Sequence, residues 1–349
     1  MDDPPALGAA PHPARALGGG VLMGLANLVP GVSGGTMILA LGLYDRFIAA
    51  VADVTRLRWK LSSLVLLAWI GAGALAALLS LSGPAVALVT NQRWVMYSLF
   101  IGMTLGGSPL LVRQCRPAGA PVAAGFAAGV ALMALLAWGV STSGVEASPP
   151  MLVFIGALAA SSMILPGISG SYMLLIFGLY DVVIGSLAFR ALSEDTAASL
   201  RVLAPFVLGA VLGVALLSNV LGFLLRRFSA PSHAVLLGLL VGSVLGLWPF
   251  REPVHPELLD KARRTAIVRL AAGEGPASVN AGLGLSLTPE DAEALRAAWP
   301  GATPGSLKRS ADELRRFRPR MSQVAAALGL FAAGFALTRA LGGKARARR

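Results

Sequence analysis

The residues of this chain that could do chemistry lie in two short segments of nearly the same sequence. Residues 27–36 read NLVPGVSGGT, and residues 163–172 read MILPGISGSY. Each segment places proline, glycine and hydroxyl side chains where an apolar membrane helix would ordinarily continue. Proline and glycine interrupt a helix, and serine or threonine can cap the next one. Each segment therefore predicts a broken helix that restarts with free N–H groups, which attract anions.

These residue types favour binding rather than catalysis. Transporters with inverted repeats place two broken-helix ends around one substrate site. The alternative is that each segment is only a packing kink, because glycine-rich contacts between membrane helices are common. Two copies in one chain favour the binding site. The candidate substrate-binding residues are Asn27, Pro30, Gly31, Ser33, Gly34, Gly35, Thr36, Pro166, Gly167, Ser169, Gly170, Ser171 and Tyr172.

The composition is that of an integral membrane protein. Of the 349 residues 56% are hydrophobic and 13% are charged, whereas soluble domains have about 25% charged residues. All eight glutamates lie outside the apolar stretches, and no cluster of His, Cys or carboxylates has the spacing of metal ligands. We therefore expect a transporter rather than an enzyme, with no metal, no organic cofactor and no nucleic-acid partner.

The apolar stretches predict an all-α polytopic membrane protein with two inverted repeats, each a re-entrant broken-helix hairpin plus three transmembrane helices. After an N-terminal tail at 1–16, the first repeat, 17–140, has its hairpin at 17–50 and spans at 63–82, 94–112 and 120–140. The second repeat, 151–250 and 321–342, has its hairpin at 151–189 and spans at 203–224, 232–249 and 321–342.

Residues 251–320 form a predicted insertion of different character. They hold twelve of the 29 Lys and Arg residues, so we expect this segment to lie in water. Thr288 precedes Asp291, and Ser310 precedes Glu313, at the spacing of a capping box. The insertion is therefore predicted to be partly helical, with helices over 288–299 and 310–317.

The repeat is visible in the sequence itself. Residues 28–45 and 164–181 align without a gap, and ten of the eighteen positions are identical. A second match pairs Gly102-x-x-x-Gly106 with Gly242-x-x-x-Gly246, and we interpret these glycines as helix-packing faces.

The distribution of positive charge favours re-entrant hairpins over hairpins that span. With re-entrant hairpins, one side carries fourteen Lys and Arg in its short segments, and the other side carries three. With spanning hairpins the two sides are nearly equal. Positive residues in short loops mark the cytoplasmic face. The predicted topology therefore has both termini in the cytoplasm and inverted halves.

Three charged residues lie at the ends of the repeated motif. Asp45, Arg46 and Asp181 are candidates for gating or for coupling, by proton or by sodium, because charges within a membrane usually mark function. The alternative is an ordinary interfacial role for each charge. We predict the same interfacial role for Tyr44 and for His233.

The motifs ANLVPGVSGGT with GLYDR, and LPGISGS with GLYD, together resemble a bacterial membrane family. Its members, formerly a domain of unknown function, are regarded as polyprenyl (undecaprenyl) phosphate transporters of the PopT type. The resemblance covers residues 17–250 and the last span. It implies a flippase of the bacterial inner membrane that returns undecaprenyl phosphate from the outer to the inner leaflet for cell-envelope synthesis.

The resemblance also implies where the lipid phosphate binds. The head group would lie between the two hairpins, at the matching motif residues from Pro30 to Thr36 and from Pro166 to Ser171. Many members carry aspartate where this chain has Asn27, so no proton coupling is expected from that position. The sequence does not decide whether the protein forms a homodimer.

Two other functions compete with this one. Undecaprenyl-pyrophosphate phosphatases share hairpins and a Pro-Gly-x-Ser motif, but their motif continues with arginine, where this chain has Gly34, and they supply glutamates. Cleavage without an acid, a base or metal ligands is hard to achieve. A transporter of a small anion, such as phosphate or sulfate, could use the same site.

Overall fold

The computed structural model of the chain describes residues 13–28, 32–138, 145–186, 195–311 and 313–343. Six of its helices are long and apolar enough to cross a membrane, by length and composition. The predicted all-α polytopic membrane fold is therefore confirmed. The chain divides into two compact units, Met1–Pro249 with Met321–Arg349 and Phe250–Arg320.

The membrane unit consists of helices that follow the two sequence repeats. The first repeat holds α1 Pro13–Asn27, α2 Gly34–Ala40, α3 Tyr44–Thr55, α4 Leu61–Asn91, α5 Arg93–Gly106, α6 Ser108–Gln114 and α7 Ala120–Trp138. The second holds α8 Pro149–Ile164, α9 Gly170–Ile176, α10 Tyr180–Ser186, α11 Thr196–Arg227, α12 Ser229–Gly246 and, after four helices of the other unit, α17 Met321–Gly343.

The predicted span 94–112 lies within the candidate membrane span Arg93–Gln114, which consists of two helices, α5 and α6, with a break at Gly107. Pro109 has no N–H to donate to the carbonyl of Leu105. The hydroxyl of Ser108 donates to that carbonyl instead, at 2.7 Å.

Both hairpins turn back on themselves. The guanidinium of Arg15, at the start of α1, donates to the carbonyl of Leu41, just after α2. The N–H of Val145, just before α8, donates to the carbonyl of Phe177, just after α9, at 3.3 Å. The relative orientation of the two repeats stays a prediction.

Some helices of the first repeat pack against helices of the second repeat. Helix α1 packs on α4 and α8 packs on α11, but α5 packs on α17 and α7 packs on α12. Added Cβ atoms on Gly102, Gly106 and Gly242 would lie 2.1, 2.7 and 2.6 Å from atoms of the facing helices. The predicted packing role is confirmed for these three. It is wrong for Gly246, which ends α12 and has no such atom within 4 Å.

The unit Phe250–Arg320 has its own small core. Its elements are β1 Arg251–Pro253, a 3-10 turn Pro256–Leu258, α13 Lys261–Ala271, α14 Pro276–Leu283, α15 Pro289–Ala298, α16 Pro304–Ala311 and β2 Leu314–Arg316, with β1 antiparallel to β2. Two apolar clusters, one around Ile267 and one around Val279, lie between these helices.

One of the two predicted capping boxes forms. The Thr288 hydroxyl accepts from the N–H of Asp291, and the Asp291 carboxylate accepts from the N–H of Thr288. Hydrogen bonds from Thr288 hold the pKa of Asp291 below its usual range. The second prediction is wrong. Ser310 lies inside α16, and Leu314–Arg316 is a strand because it pairs with Arg251–Pro253.

The glycine contacts predict a matched pair of substitutions. We expect Gly102→Ala to lower the unfolding temperature in detergent, because its new methyl group would meet the carbonyl of Phe331 and overpacking costs about 1–3 kcal/mol. Gly246→Ala, which adds a methyl group in open space, should leave that temperature unchanged. Equal effects of the two substitutions would contradict the packing role.

Candidate functional site

The first hairpin breaks just after Asn27. This residue ends α1, and its side-chain Oδ1 accepts from the N–H of Gly34, the first residue of α2, at 3.2 Å. Ser33 occupies the N-cap position, but its hydroxyl does not cap the helix. The Asn27 amide therefore bridges the break and satisfies a free N–H of α2. The candidates Pro30 and Gly31 lie outside the described residues.

The second hairpin breaks after Ile164, where α8 ends. Pro166 and Gly167 form a turn, and α9 begins at Gly170. Gly167 has φ +89°, in the region that favours glycine. A Cβ on Gly167 would lie 2.7 Å from the carbonyl oxygen of Leu239 on α12. Only glycine therefore fits this turn against α12.

Three side chains of the first hairpin hydrogen-bond to the backbone of the second break. The Ser33 hydroxyl donates to the carbonyl of Leu165 at 3.0 Å. The Thr36 hydroxyl accepts from the N–H of Gly167 at 3.0 Å. The Tyr44 hydroxyl donates to the carbonyl of Ile164 at 3.2 Å. The first hairpin thus satisfies groups that the second break leaves without helical partners.

Gly35 allows this close approach. A Cβ at this position would lie 2.8 Å from the carbonyl oxygen of Ile164 and 3.0 Å from that of Met163. The equivalent residue of the second repeat is Ser171, and it carries a side chain without such a constraint. The backbones of the two hairpins touch at Gly35.

The hydroxyl groups of the second hairpin have a different surrounding. Ser33 and Thr36 are 2% and 1% exposed, whereas Ser169, Ser171 and Tyr172 are half-buried. The Oγ atoms of Ser169 and Ser171 lie 2.9 Å apart. The first helical bond of α9 runs from the N–H of Met173 to the carbonyl of Ser169, so the N–H groups of Gly170 and Ser171 have no acceptor within the helix.

These four donors, two hydroxyls and two N–H groups, form a cluster at the start of α9. Hydroxyl and N–H donors suit an anionic oxygen, and hydrogen bonds to charged acceptors are the stronger ones. Tyr172 closes one side, since its hydroxyl donates to the carbonyl of Leu136 at 3.0 Å. The remaining candidate on this helix, Gly170, would place a Cβ 2.7 Å from the carbonyl oxygen of Ala159.

At the end of the first hairpin, Asp45 lies near residues that are distant in the sequence. Asp45 is half exposed, and its Oδ2 accepts from the side-chain amide of Gln114 at 3.3 Å. Its Oδ1 lies 3.5 Å from Nε2 of His233. Arg46 is half-buried. The Asp181 side chain lies outside the described residues.

Two residues with a predicted interfacial role are buried within the protein. Tyr44 and His233 are each only 4% exposed, because Tyr44 reaches the second break and His233 packs near the start of α12; their place relative to the membrane interface stays a prediction. For Tyr44 the signal was its place in the repeated GLYD motif. His233 gave no signal, since its partner Asp45 lies on a distant helix.

Six helices could cross a membrane, and hydrogen bonds join the breaks of the two hairpins. These features define a multi-pass α-helical membrane protein. A family model described as undecaprenyl phosphate translocase-like matches residues 23–262. The chain belongs to this family.

Curated relatives are similar over most of the membrane unit. A polyprenyl-phosphate transporter of Vibrio cholerae is 30% identical over 249 residues, which are 67% of this chain and 77% of the relative. One of Staphylococcus aureus is 31% identical over 242 residues, which are 66% of this chain and 84% of the relative. No solved structure matches the chain.

The bond between Thr36 and Gly167 yields a testable prediction. Thr36→Val keeps the shape of the side chain but leaves the buried N–H of Gly167 without its acceptor, which costs about 1–3 kcal/mol. We expect a lower unfolding temperature in detergent for Thr36→Val. Thr36→Ser keeps the hydroxyl and should retain most of the stability of the parent. A Thr36→Val protein as stable as the parent would contradict the bracing role.

Proposed function

We propose that the chain moves undecaprenyl phosphate, or a closely similar polyprenyl phosphate, from the outer to the inner leaflet of the bacterial inner membrane. The observation that carries the proposal is the half-buried hydroxyl pair of Ser169 and Ser171 at the start of α9. The family and the names of the relatives support the same substrate class. The carrier would be returned for cell-envelope polymer synthesis.

The head group would bind at the donor cluster of α9. A phosphate monoester presents several anionic oxygens, and the Ser169 and Ser171 hydroxyls with the N–H groups of Gly170 and Ser171 can donate to two or more of them. The first hairpin would act as a brace, because Ser33 and Thr36 are already bonded to the second break. This assigns different roles to the two copies of the motif.

The polyprenyl tail can remain in the bilayer. Helix α11 exposes large apolar side chains along its length, among them Val207, Val211 and Leu216 at 53%, 59% and 69%. Such exposure is expected where a helix faces lipid. A substrate with a charged head and a long apolar tail therefore needs only a polar site for its head.

The topology that we propose follows from the geometry of the hairpins and from the charges. Each hairpin returns to the side where it starts, and three long helices follow each hairpin. Three crossings per repeat invert the second repeat relative to the first. The positive residues in the short loops support a cytoplasmic position for both termini.

We propose transport rather than hydrolysis. Every glutamate lies outside the apolar stretches, and the relatives are named transporters. Hydrolysis of a phosphoanhydride requires a positioned acid, base or metal ion, and the donor cluster of α9 supplies only hydroxyl and N–H groups. These groups suit the binding of a phosphate.

The test is leaflet transfer of a labelled polyprenyl phosphate in proteoliposomes, with released inorganic phosphate followed in parallel. Because a hydrogen bond to a charged group contributes about 1.5–3 kcal/mol, Ser169→Ala with Ser171→Ala should weaken the apparent affinity about tenfold or more. Ser162→Ala is the matched control, since that hydroxyl is buried and donates to Ala159 within its own helix. We expect parental transfer from the control.

Three outcomes would contradict the proposal. Equal transfer by the parent and by the double variant would mean that the head group does not bind at the donor cluster of α9. Release of phosphate from a polyprenyl pyrophosphate, without transfer, would favour the phosphatase. Uptake of free phosphate or sulfate, without lipid transfer, would favour the small-anion transporter.

A further inference from the structure

A buried histidine of the membrane unit lies outside the proposed head-group site. His233 sits near the start of α12 and is 4% exposed. Its Nδ1 lies 2.7 Å from the carbonyl oxygen of Ser229. The second contact of Nδ1 is the Ser229 hydroxyl oxygen, at 3.3 Å. The carbonyl contact is the shorter one and a carbonyl oxygen only accepts, so we assign the hydrogen to Nδ1, where the hydroxyl oxygen can also accept from it.

The other ring nitrogen faces a carboxylate. Nε2 of His233 is buried without a hydrogen bond, and Oδ1 of Asp45 lies 3.5 Å away. If the ring is neutral with its hydrogen on Nδ1, then Nε2 offers a lone pair to an oxygen that also only accepts. Such an arrangement leaves a buried acceptor unsatisfied, which is costly. A single additional proton between the two atoms removes the conflict.

We propose that His233 and Asp45 form a proton-binding site, in which the bound proton lies on Nε2 and is directed at Oδ1 of Asp45. Histidine is the side chain whose ordinary titration falls between about pH 5 and 8. The Asp45 side chain is 48% exposed. Gln114 orients the other carboxylate oxygen through its amide.

Among the described charged residues around His233, Asp45 lies at ion-pair distance. Helix α12 packs against α5, α6, α7 and α11, and α7 carries no ionisable residue. Arg113 and Arg116 near the end of α6, and Arg226 and Arg227 at the end of α11, are exposed, while Cys115 is buried. The other ionisable groups on these elements and on α3 are Tyr44, Arg46, Asp53, Arg93, Tyr97 and Arg201.

The proton site is connected to the breaks at both of its ends. Asp45 follows Tyr44, whose hydroxyl donates to the carbonyl of Ile164 at the second break. His233 shares α12 with Leu239, whose carbonyl faces Gly167 of the same break. A proton that ties α3 to α12 therefore also fixes the two elements that hold the second break.

A role of this proton site in transport rests on the proposed function, and it identifies the proton as the coupling ion. With the proton bound, the ion pair joins α3 to α12. When the proton leaves, the two acceptors repel each other, and the junction loosens. Occupancy by the proton would thus change how firmly the second break, and with it the donor cluster of α9, is held.

The first test reads the proton directly. We would record nitrogen spectra of the full-length protein, labelled on histidine, in lipid nanodiscs from about pH 5.5 to about pH 8.5. His233→Gln identifies its resonances by their loss, and His255→Gln does the same for a histidine of the other unit, whose Nδ1 lies 3.2 Å from Glu257. We expect His233 to be doubly protonated at low pH and to carry its hydrogen on Nδ1 at high pH.

Two spectroscopic results would overturn the proposal. One is a neutral ring with its hydrogen on Nε2, and the other is a ring that does not titrate in this range. Asp45→Asn serves as the second variant in case His233→Gln does not fold. It should lower the fraction of doubly protonated His233 at the low end of this pH range, and an unchanged fraction would exclude Asp45 as the counter-ion.

The second test separates this inference from the proposed function. The rate of lipid transfer by the parent should change severalfold over the same pH range. His233→Gln should remove that dependence, whereas His255→Gln should keep it. Transfer by the parent that does not depend on pH would overturn the proton site and leave the lipid transporter intact. Absence of transfer at every pH would count against the proposed function, and the spectra would still decide the proton site.

Discussion

The satisfaction of backbone hydrogen bonds in apolar surroundings is the constraint on which the rest of this structure depends. A broken helix exposes carbonyl and N–H groups, and hydrocarbon has no partners for them. Here the first hairpin provides these partners through Ser33, Thr36 and Tyr44. The three bonds join residues more than a hundred positions apart, so the shape of the second break depends on the first hairpin. The donor cluster at the start of α9 exists because the turn before it is fixed in this way.

The two copies of the motif have diverged where their surroundings differ. Gly35 has no room for a side chain, whereas Ser171 at the equivalent position carries a hydroxyl into a half-buried space. Thr36 accepts a bond from the opposite backbone, while Tyr172 at its counterpart reaches Leu136. The duplicated sequence therefore supports one brace and one exposed cluster of donors. This division explains why both copies retain serine, although only the second copy keeps its hydroxyls accessible.

The sequence predicted the elements well, because hydrophobic length and turn-forming residues act locally. It predicted the break in each hairpin and the packing of Gly102 and Gly106 for that reason. The failures involve surroundings that no local pattern contains. Ser33 bonds to a carbonyl of another hairpin, Gly246 lies at a helix end with no neighbour, and His233 meets Asp45 only through tertiary packing. A helix was predicted to begin at Ser310, but a strand forms after this residue because Arg251–Pro253 offers a pairing edge.

Because helices of the two repeats pack against each other, the order of synthesis determines when each helix meets its partner. Helix α5 presents Gly102 and Gly106 to α17, yet residues 107–320 must be translated before α17 is made. At about 5–20 residues per second, this interval lasts roughly 10–40 s. During that time the face of α5 that will meet α17 must be covered by lipid, by other helices or by the insertion machinery. The Phe250–Arg320 unit lengthens the delay by its own 71 residues, so the nascent protein stays an incomplete assembly until its last helix enters the membrane.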